Sequence, residues 1–320
     1  MRPKVTLIGV VAALLAAMLT PTAGAADRPC RLFPRNSFWY ADVSDLPTHP
    51  MSDDWIATMG AGRNAHPDFG SGRWNGGPIG IPVTKVGRNQ QRSRVSFLYA
   101  AESDRQRYPI PANPRIEGGP NATGDRHVLI HQKSRCRLFE LFDVDRNANG
   151  RWTAGSGVKW NLRSNKLRPD GWTSADASGL PMMPGLVRHW EVARGEITHV
   201  IRMTAPVTRR DHVWPATHDA GSTDSATAPP MGAWLRLGDH VDPADFPPQA
   251  RVVVEALQTH GAIIVDNGSA FYLSGAPSPR WDNDDLRTLR TLTGADFEFV
   301  ESSRMMVEAD SMRVQPPYRG

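Results

Sequence analysis

Short apolar runs that alternate with polar residues fill the middle of the chain and predict β-strands. Residues 127–131 and 136–142 show this period of two and are separated by a short turn, so they predict a hairpin. The alternation places His127 and His131 on one side of their strand. In residues 197–203 it places His199 with the apolar residues and Arg202 on the opposite side.

A helical period occurs mainly near the C-terminus. Residues 249–260 carry an apolar stripe that ends before Gly261, and residues 284–292 follow a run of acidic capping residues. A shorter helix is predicted at residues 52–59. Residues 263–265 and 271–273 predict a second hairpin, which would turn at Asp266-Asn267-Gly268-Ser269.

These elements, together with 28 glycines and 27 prolines, favour a sheet protein with many turns. We therefore predict a mainly β fold: an antiparallel, jelly-roll-like β-sandwich with a few short helices, mostly C-terminal. Residues 69–236 are expected to form antiparallel strands. Residues 26–320 are expected to form a single globular domain.

The first 25 residues have the pattern of a signal peptide. Arg2 and Lys4 precede an apolar run at residues 5–19, and Ala23-Gly24-Ala25 offers small residues for cleavage. The apolar run is too short for a membrane span. The pattern predicts a secreted, extracellular protein without membrane association once the signal is removed.

Charge and cysteine content narrow the picture further. The chain has 37 basic and 33 acidic residues, and loss of Arg2 and Lys4 leaves 35 against 33, a net charge of +2. The basic residues are scattered along the sequence without interleaved aromatics, which argues against nucleic-acid binding. In an exported protein Cys30 and Cys136 are expected to form a disulfide, the alternative being two buried thiols.

Three acidic residues in irregular sequence are candidates for chemistry. Glu117 follows a proline-rich segment, Asp176 lies in a tryptophan-bearing turn, and Asp266 lies in an Asn-Gly turn. Glycosidic hydrolysis uses two carboxyl groups, about 5–5.5 Å apart for retention or roughly 6.5–9.5 Å apart for inversion. With His199 these acids form the predicted catalytic set. A hydrogen-bonded core histidine and locally required turn aspartates are the alternative interpretation.

Substrate-binding candidates surround the same segments. Arg202 would bind an acidic sugar, and His218 and His199 would orient substrate or a carboxylate. Trp172 and Trp214 are loop tryptophans, as are Trp39, Trp74 and Trp281. Such side chains stack on sugar faces or plug the ends of a sandwich. We predict that residues 171–176 and 214–218 border one cleft together with His199.

Neither a metal nor another cofactor is predicted. Residues 145–150 match the start of a calcium loop, but Ser156 occupies the position of the bidentate glutamate, and an Asn-Gly hairpin tip explains the same residues. His127 and His131 would be roughly 13 Å apart on a strand, which disfavours a shared zinc ion.

Three segments resemble a group of secreted bacterial proteins that is common in actinobacteria. They are residues 172–176 with the following Gly-Leu-Pro turn; residues 199–206 with 214–218; and residues 266–269 with Trp281-Asp282. The resemblance spans most of the mature chain. It implies export and one shared fold, and it assigns no activity and no catalytic residue.

The sequence thus favours a secreted carbohydrate-active protein, namely a glycoside hydrolase that acts on an extracellular polysaccharide through a carboxylate pair. A polysaccharide lyase with a histidine or tyrosine base is a close alternative. A non-catalytic protein that binds glycans or the cell wall, and an exported structural protein, are alternatives from other classes.

Overall fold

The computed structural model describes residues 30–315. The predicted signal peptide lies outside these residues. Within the described range no helix combines the length and apolar character needed to cross a membrane. Strands and irregular connections make up most of the fold, so the predicted β-rich class is confirmed.

The strands are short and are spread over the whole described range. In chain order they are β1 (His66–Asp68), β2 (Arg73–Trp74), β3 (Gly77–Pro78), β4 (Val83–Lys85), β5 (Val95–Phe97), β6 (Val128–Gln132), β7 (Arg137–Phe142), β8 (Asp145–Arg146), β9 (Trp152–Ala154), β10 (Ser156–Asn161), β11 (Ile201–Ala205), β12 (Trp234–Leu237), β13 (Ala262–Asn267), β14 (Tyr272–Ser274) and β15 (Phe297–Phe299). The α-helices are α1 (Ser52–Met59), α2 (His189–Val192), α3 (Pro248–Thr259) and α4 (Asn283–Arg287).

Local sequence explains the helices. Pro248 opens α3, where its missing N–H is not needed, and Gly261 follows the helix with a φ of +67°. Asp282 caps α4 by accepting hydrogen bonds from two backbone N–H groups of the first turn. The helices predicted at residues 249–260 and 52–59 are confirmed as α3 and α1. The helix predicted at 284–292 is α4 followed by a 3-10 turn.

Two larger sheets form the centre of the molecule. The first has six strands in the order β1-β14-β11-β13-β12-β15, and the second has four in the order β10-β7-β6-β4. Helices α1, α3 and α4 contribute to the core on one face of the six-stranded sheet. A second core joins its opposite face to the four-stranded sheet. Adjacent residues of β13 show the division, since Ile264 faces the helices and Ile263 faces the second sheet.

The hairpin predicted from residues 127–142 is confirmed. Strands β6 and β7 are antiparallel, with Ile130 opposite Phe139, and a 3-10 turn at Lys133–Arg135 connects them. The outer face of this hairpin packs on a third core beneath a smaller sheet, β5-β9-β8. The turn at residues 147–150 is the tip of the β8–β9 hairpin, where the Asn147 side chain accepts two backbone hydrogen bonds.

The hairpin predicted at residues 263–273 is wrong. Strand β11 lies between β13 and β14, parallel to β13 and antiparallel to β14. The first four residues of β13 are all buried, as is usual for a central strand covered on both faces. Parallel pairing also joins β1 to β14, β4 to β6 and β5 to β9. The sheets are therefore mixed, because alternation fixes the face of a residue but not the direction of the neighbouring strand.

The predicted disulfide is confirmed. Cys30 and Cys136 are bonded, with their Cα atoms 5.4 Å apart, and no free cysteine occurs in residues 30–315. The bond ties the beginning of the described chain to the turn between β6 and β7.

Candidate functional site

A cleft of about 740 Å³ opens at the edge of the six-stranded sheet formed by β1. Its walls carry acidic, basic and aromatic side chains, which come from β1, the β2–β3 hairpin, the loop before β6, β14 and the segment around α4. The polar and aromatic residues most relevant to chemistry are His66, Asp68, Trp74, Glu117, Asp125, Tyr272 and Arg290.

Glu117 reaches this cleft from the loop that leads into β6. Its backbone N–H donates to the His127 carbonyl, and its carboxylate lies 2.5 Å from Nδ1 of His127. The other ring nitrogen of His127 faces the Ala175 carbonyl oxygen at 2.9 Å. Both ring nitrogens thus have acceptors as partners, an arrangement that suits the doubly protonated imidazolium.

Charge coupling keeps this pair ionised. Burial disfavours the charged form of His127, but the adjacent Glu117 carboxylate outweighs it and raises the pKa of His127 to about 9. Burial would raise the pKa of Glu117, yet the positive charge and hydrogen bond of His127 bring it below its usual value. Glu117 is therefore a carboxylate held in a fixed orientation at the cleft wall.

Asp68 is a second carboxyl group of the cleft, at the end of β1. It remains accessible to solvent, but the concave wall removes much of its surrounding water. This desolvation, followed by the negative charge of Glu117, raises the pKa of Asp68. Asp68 is not among the candidates predicted from the sequence. The sequence signal that pointed to Asp68 was an acidic residue beside Pro67 in irregular sequence.

Arg202 organises the ionic network behind the cleft. Its Nε and one terminal nitrogen donate to the Asp176 carboxylate at 2.8 and 2.9 Å. It also donates to Asp266 at 3.1 Å and to the Ser274 hydroxyl at 2.7 Å. Burial opposes the charge of Arg202, but Asp176 outweighs it and raises the pKa of the guanidinium. With its donors engaged by the protein, Arg202 has little capacity to bind an acidic sugar.

Asp176 is an interior ion-pair partner. Its exposure is 1%, and its backbone N–H donates to the Ser174 hydroxyl within the tryptophan-bearing turn. Asp266 differs, since about a quarter (23%) of its side chain is exposed. Burial and the charge of Asp176 raise the pKa of Asp266 to about 6. Neither residue is part of the cleft wall.

His199 belongs to a separate buried network. Its Nε2 lies 3.4 Å from Glu191, whose carboxylate also accepts two hydrogen bonds from Arg188. Its Nδ1 faces the Val200 carbonyl. These contacts correspond to a hydrogen-bonded core histidine and differ from the shared cleft predicted for His199 and Asp176.

The two tryptophan-bearing segments lie side by side. The N–H of Gly171 donates to the Thr217 carbonyl at 2.7 Å. Trp214 packs edge-on against Phe38 and donates to a backbone carbonyl, whereas Arg168 covers the ring of Trp172 at 5.3 Å. His218 faces the Ala177 carbonyl. None of these three candidate binding residues lines the cleft.

Other aromatic side chains do border the cleft. Trp74, at the β2–β3 hairpin, is 74% exposed. Tyr272 stacks on His66 with ring centroids 4.2 Å apart. Burial, followed by the charge of Arg290, lowers the pKa of His66 to about 4, so its imidazole is neutral at physiological pH. The cleft therefore combines carboxyl groups with flat apolar surfaces.

Comparison of the chain with models of protein families, with curated proteins and with solved structures finds no match. The function is consequently inferred from the geometry alone.

The His127–Glu117 pair predicts a specific pH dependence of stability. Because the pKa of His127 is raised, its contribution is fully present below the unfolded value of 6.5 and is lost as pH rises through about 9. We expect the unfolding free energy to decrease by roughly 2–3 kcal/mol across this window. Denaturant unfolding of the wild type and of His127→Gln at pH 5.5 and 9.5 measures this decrease in unfolding free energy. An equal pH response in both proteins would contradict the assignment.

Proposed function

We propose that this chain is a secreted carbohydrate-active enzyme, a glycoside hydrolase that acts on an extracellular polysaccharide. The proposed carboxyl pair is Asp68 and Glu117. The sequence-based candidate Glu117 is retained, whereas Asp176 and Asp266 become members of the supporting ionic network. The predicted signal peptide and the resemblance to secreted actinobacterial proteins remain predictions that agree with this proposal.

One observation carries the proposal. Two of the carboxyl groups that line the cleft have environments that move their pKa values in opposite directions, Asp68 upward and Glu117 downward. Such a separation is how one site holds a proton donor beside an ionised base or nucleophile. The negative charge of Glu117 is itself one cause of the raised pKa of Asp68.

The roles follow from these protonation states. Asp68 donates its proton to the departing glycosidic oxygen. Glu117 activates a water molecule or attacks the anomeric carbon. His127 is a positioning residue, because it holds the Glu117 carboxylate by a direct hydrogen bond and preserves its charge. Trp74 and Tyr272 offer faces on which sugar rings stack.

The scaffold is in keeping with the proposal. The six- and four-stranded sheets face each other across one core, and we propose that they form the predicted sandwich, with a jelly-roll-like arrangement as its finer form. A non-catalytic glycan-binding protein would use the same aromatic surfaces, and the exposed Trp74 favours it.

A polysaccharide lyase is the second candidate reaction, and the His66–Tyr272 pair favours it. A neutral His66 is able to remove the proton next to a uronic acid carboxylate. Arg290, whose guanidinium lies 3.4 Å from the ring of His66, would bind that carboxylate. Lysis yields an unsaturated product with ultraviolet absorbance, whereas hydrolysis yields only a new reducing end.

The test is to incubate the protein with a panel of polysaccharides and to assay both the unsaturated product of lysis and the new reducing ends of hydrolysis. For a hydrolase, Glu117→Gln and Asp68→Asn should each lower kcat by about a hundredfold or more, because each removes one half of the acid–base pair. Glu255→Gln is the matched control, since this exposed glutamate lies on α3, away from the cleft. Full activity in both cleft variants would overturn the assignment. Binding without turnover in the wild type would favour the glycan-binding alternative.

A further inference from the structure

A second surface of the molecule concentrates positive charge. Strand β4, the following loop, the segment before Tyr108 that pairs with Ser93, and the turn between β6 and β7 bring together a group that we name the basic face. Its members are Lys85, Arg88, Arg92, Arg107, Lys133 and Arg135. None of them lines the cleft, so a role for the basic face is independent of the proposed hydrolase activity.

Hydrogen bonds hold these segments together around the buried Gln132. The Gln132 amide donates to the carbonyls of Gly87 and Arg88 at 2.9 and 3.3 Å. Its oxygen accepts from Arg92 at 3.2 Å, and Arg92 also donates to the Arg107 carbonyl at 3.1 Å. Arg135 donates to the Arg88 carbonyl at 3.0 Å. The face is therefore built on a fixed backbone and not on mobile chain ends.

The positive charges are not compensated locally. The sequence contains no Asp or Glu in residues 69–101 or 126–139, which supply five of the six cations. Within residues 30–315, none of the six forms an ion pair. Burial, followed by the charge of Arg135, lowers the pKa of Arg92, as expected for like charges held close together. A fold that gathers cations without acidic partners leaves their positive charge available to an external anion.

We propose that the basic face binds an anionic polysaccharide. Guanidinium groups pair with carboxylate and other oxyanion groups in planar, two-pronged contacts. Nucleic acid is a less suitable partner for the basic face, because the face lacks the exposed aromatic residues of the described chain. These are Trp74, Tyr99 and Trp190, and none of them belongs to the face. The disulfided Cys136 follows Arg135, and such bonds persist in oxidising compartments, which agrees with an extracellular polymer as the partner.

Binding of polygalacturonate to the purified, disulfide-intact protein tests the proposal, with uncharged dextran as the reference polymer. The test variant combines Lys85→Gln, Arg88→Gln and Lys133→Gln, three exposed residues whose side chains make no hydrogen bond in residues 30–315. We expect at least about tenfold weaker binding at low salt, and a slope of log Kd against log salt that is smaller by about two.

The matched control removes the same charge elsewhere, with Arg63→Gln, Arg280→Gln and Arg304→Gln. These exposed residues lie after α1, between β14 and α4, and in a C-terminal 3-10 turn. The control should bind like the wild type. Equal losses in both triple variants would mean that net charge alone acts, and they would overturn the proposal. Unchanged binding in the basic-face variant, or tighter binding of single-stranded DNA than of polygalacturonate, would also overturn it.

Discussion

Replacing Asp176 with alanine is expected to lower the unfolding free energy by about 3–5 kcal/mol, because the change leaves the Arg202 charge buried without its main counterion. The Arg202 side chain is only 5% exposed, and two of its donor atoms bind the Asp176 carboxylate. Asp266 accepts one hydrogen bond from Arg202, at 3.1 Å, and so does not replace both contacts of Asp176. Urea unfolding at neutral pH measures the change.

An exposed ion pair provides the control. Asp224 pairs with Arg210, but 80% of its side chain is in solvent, so Asp224→Ala should alter stability by less than about 1 kcal/mol. The double variant Asp176→Ala/Arg202→Met should be less destabilised than the sum of its single changes, since the buried guanidinium is then no longer left without its main counterion. A stable Asp176→Ala protein without activity would instead assign Asp176 to the catalytic set.

Loss of the disulfide is expected to produce an effect of similar size. Cys30 and Cys136 are separated by 106 positions in the sequence. Closing a loop of this length restricts the unfolded chain by about 4–5 kcal/mol in the loop-entropy model. The Cys30→Ala/Cys136→Ala variant should unfold at a lower urea concentration, with a larger dependence on urea because its unfolded state is more expanded.

Unfolding in the presence of reductant distinguishes loss of the disulfide from other effects of the two substitutions. Wild-type protein unfolded with reductant should match the double variant, and the variant itself should be insensitive to reductant. Equal midpoints for the oxidised wild type and the variant would contradict the expected stabilisation. Because Cys136 lies beside the basic face, polygalacturonate binding by the variant would also report whether the bond shapes that surface.

Periodicity revealed the faces of the strands but not their neighbours. It placed Arg202 and His199 on opposite sides of one run, and the two residues do occupy separate networks. It could not reveal that β11 separates β13 from β14, since no local signal encodes pairing between strands distant in sequence. The β6–β7 hairpin could be predicted from the sequence because a short turn joins its two strands.

The site was predictable only in part for the same reason. Glu117 was identified from its loop setting, but its pairing with His127 depends on how that loop returns to the start of β6. The raised pKa of Asp68 comes from desolvation at the cleft wall and from the charge of Glu117, and its neighbours in sequence specify neither. The cations of the basic face look scattered along the chain because a fold, not a sequence block, assembles them.

The parallel pairing of β1 with β14 has a consequence for biogenesis. His66 and Pro67 lie opposite Tyr272 and Leu273, and both strands contribute to the cleft. A ribosome-bound chain that has not yet released residue 272 cannot complete this sheet edge. The hairpin β6–β7 and the disulfide at its turn have all their residues available much earlier. The cleft is thus expected to be completed late, after the residues of the hairpin and of the disulfide are already available.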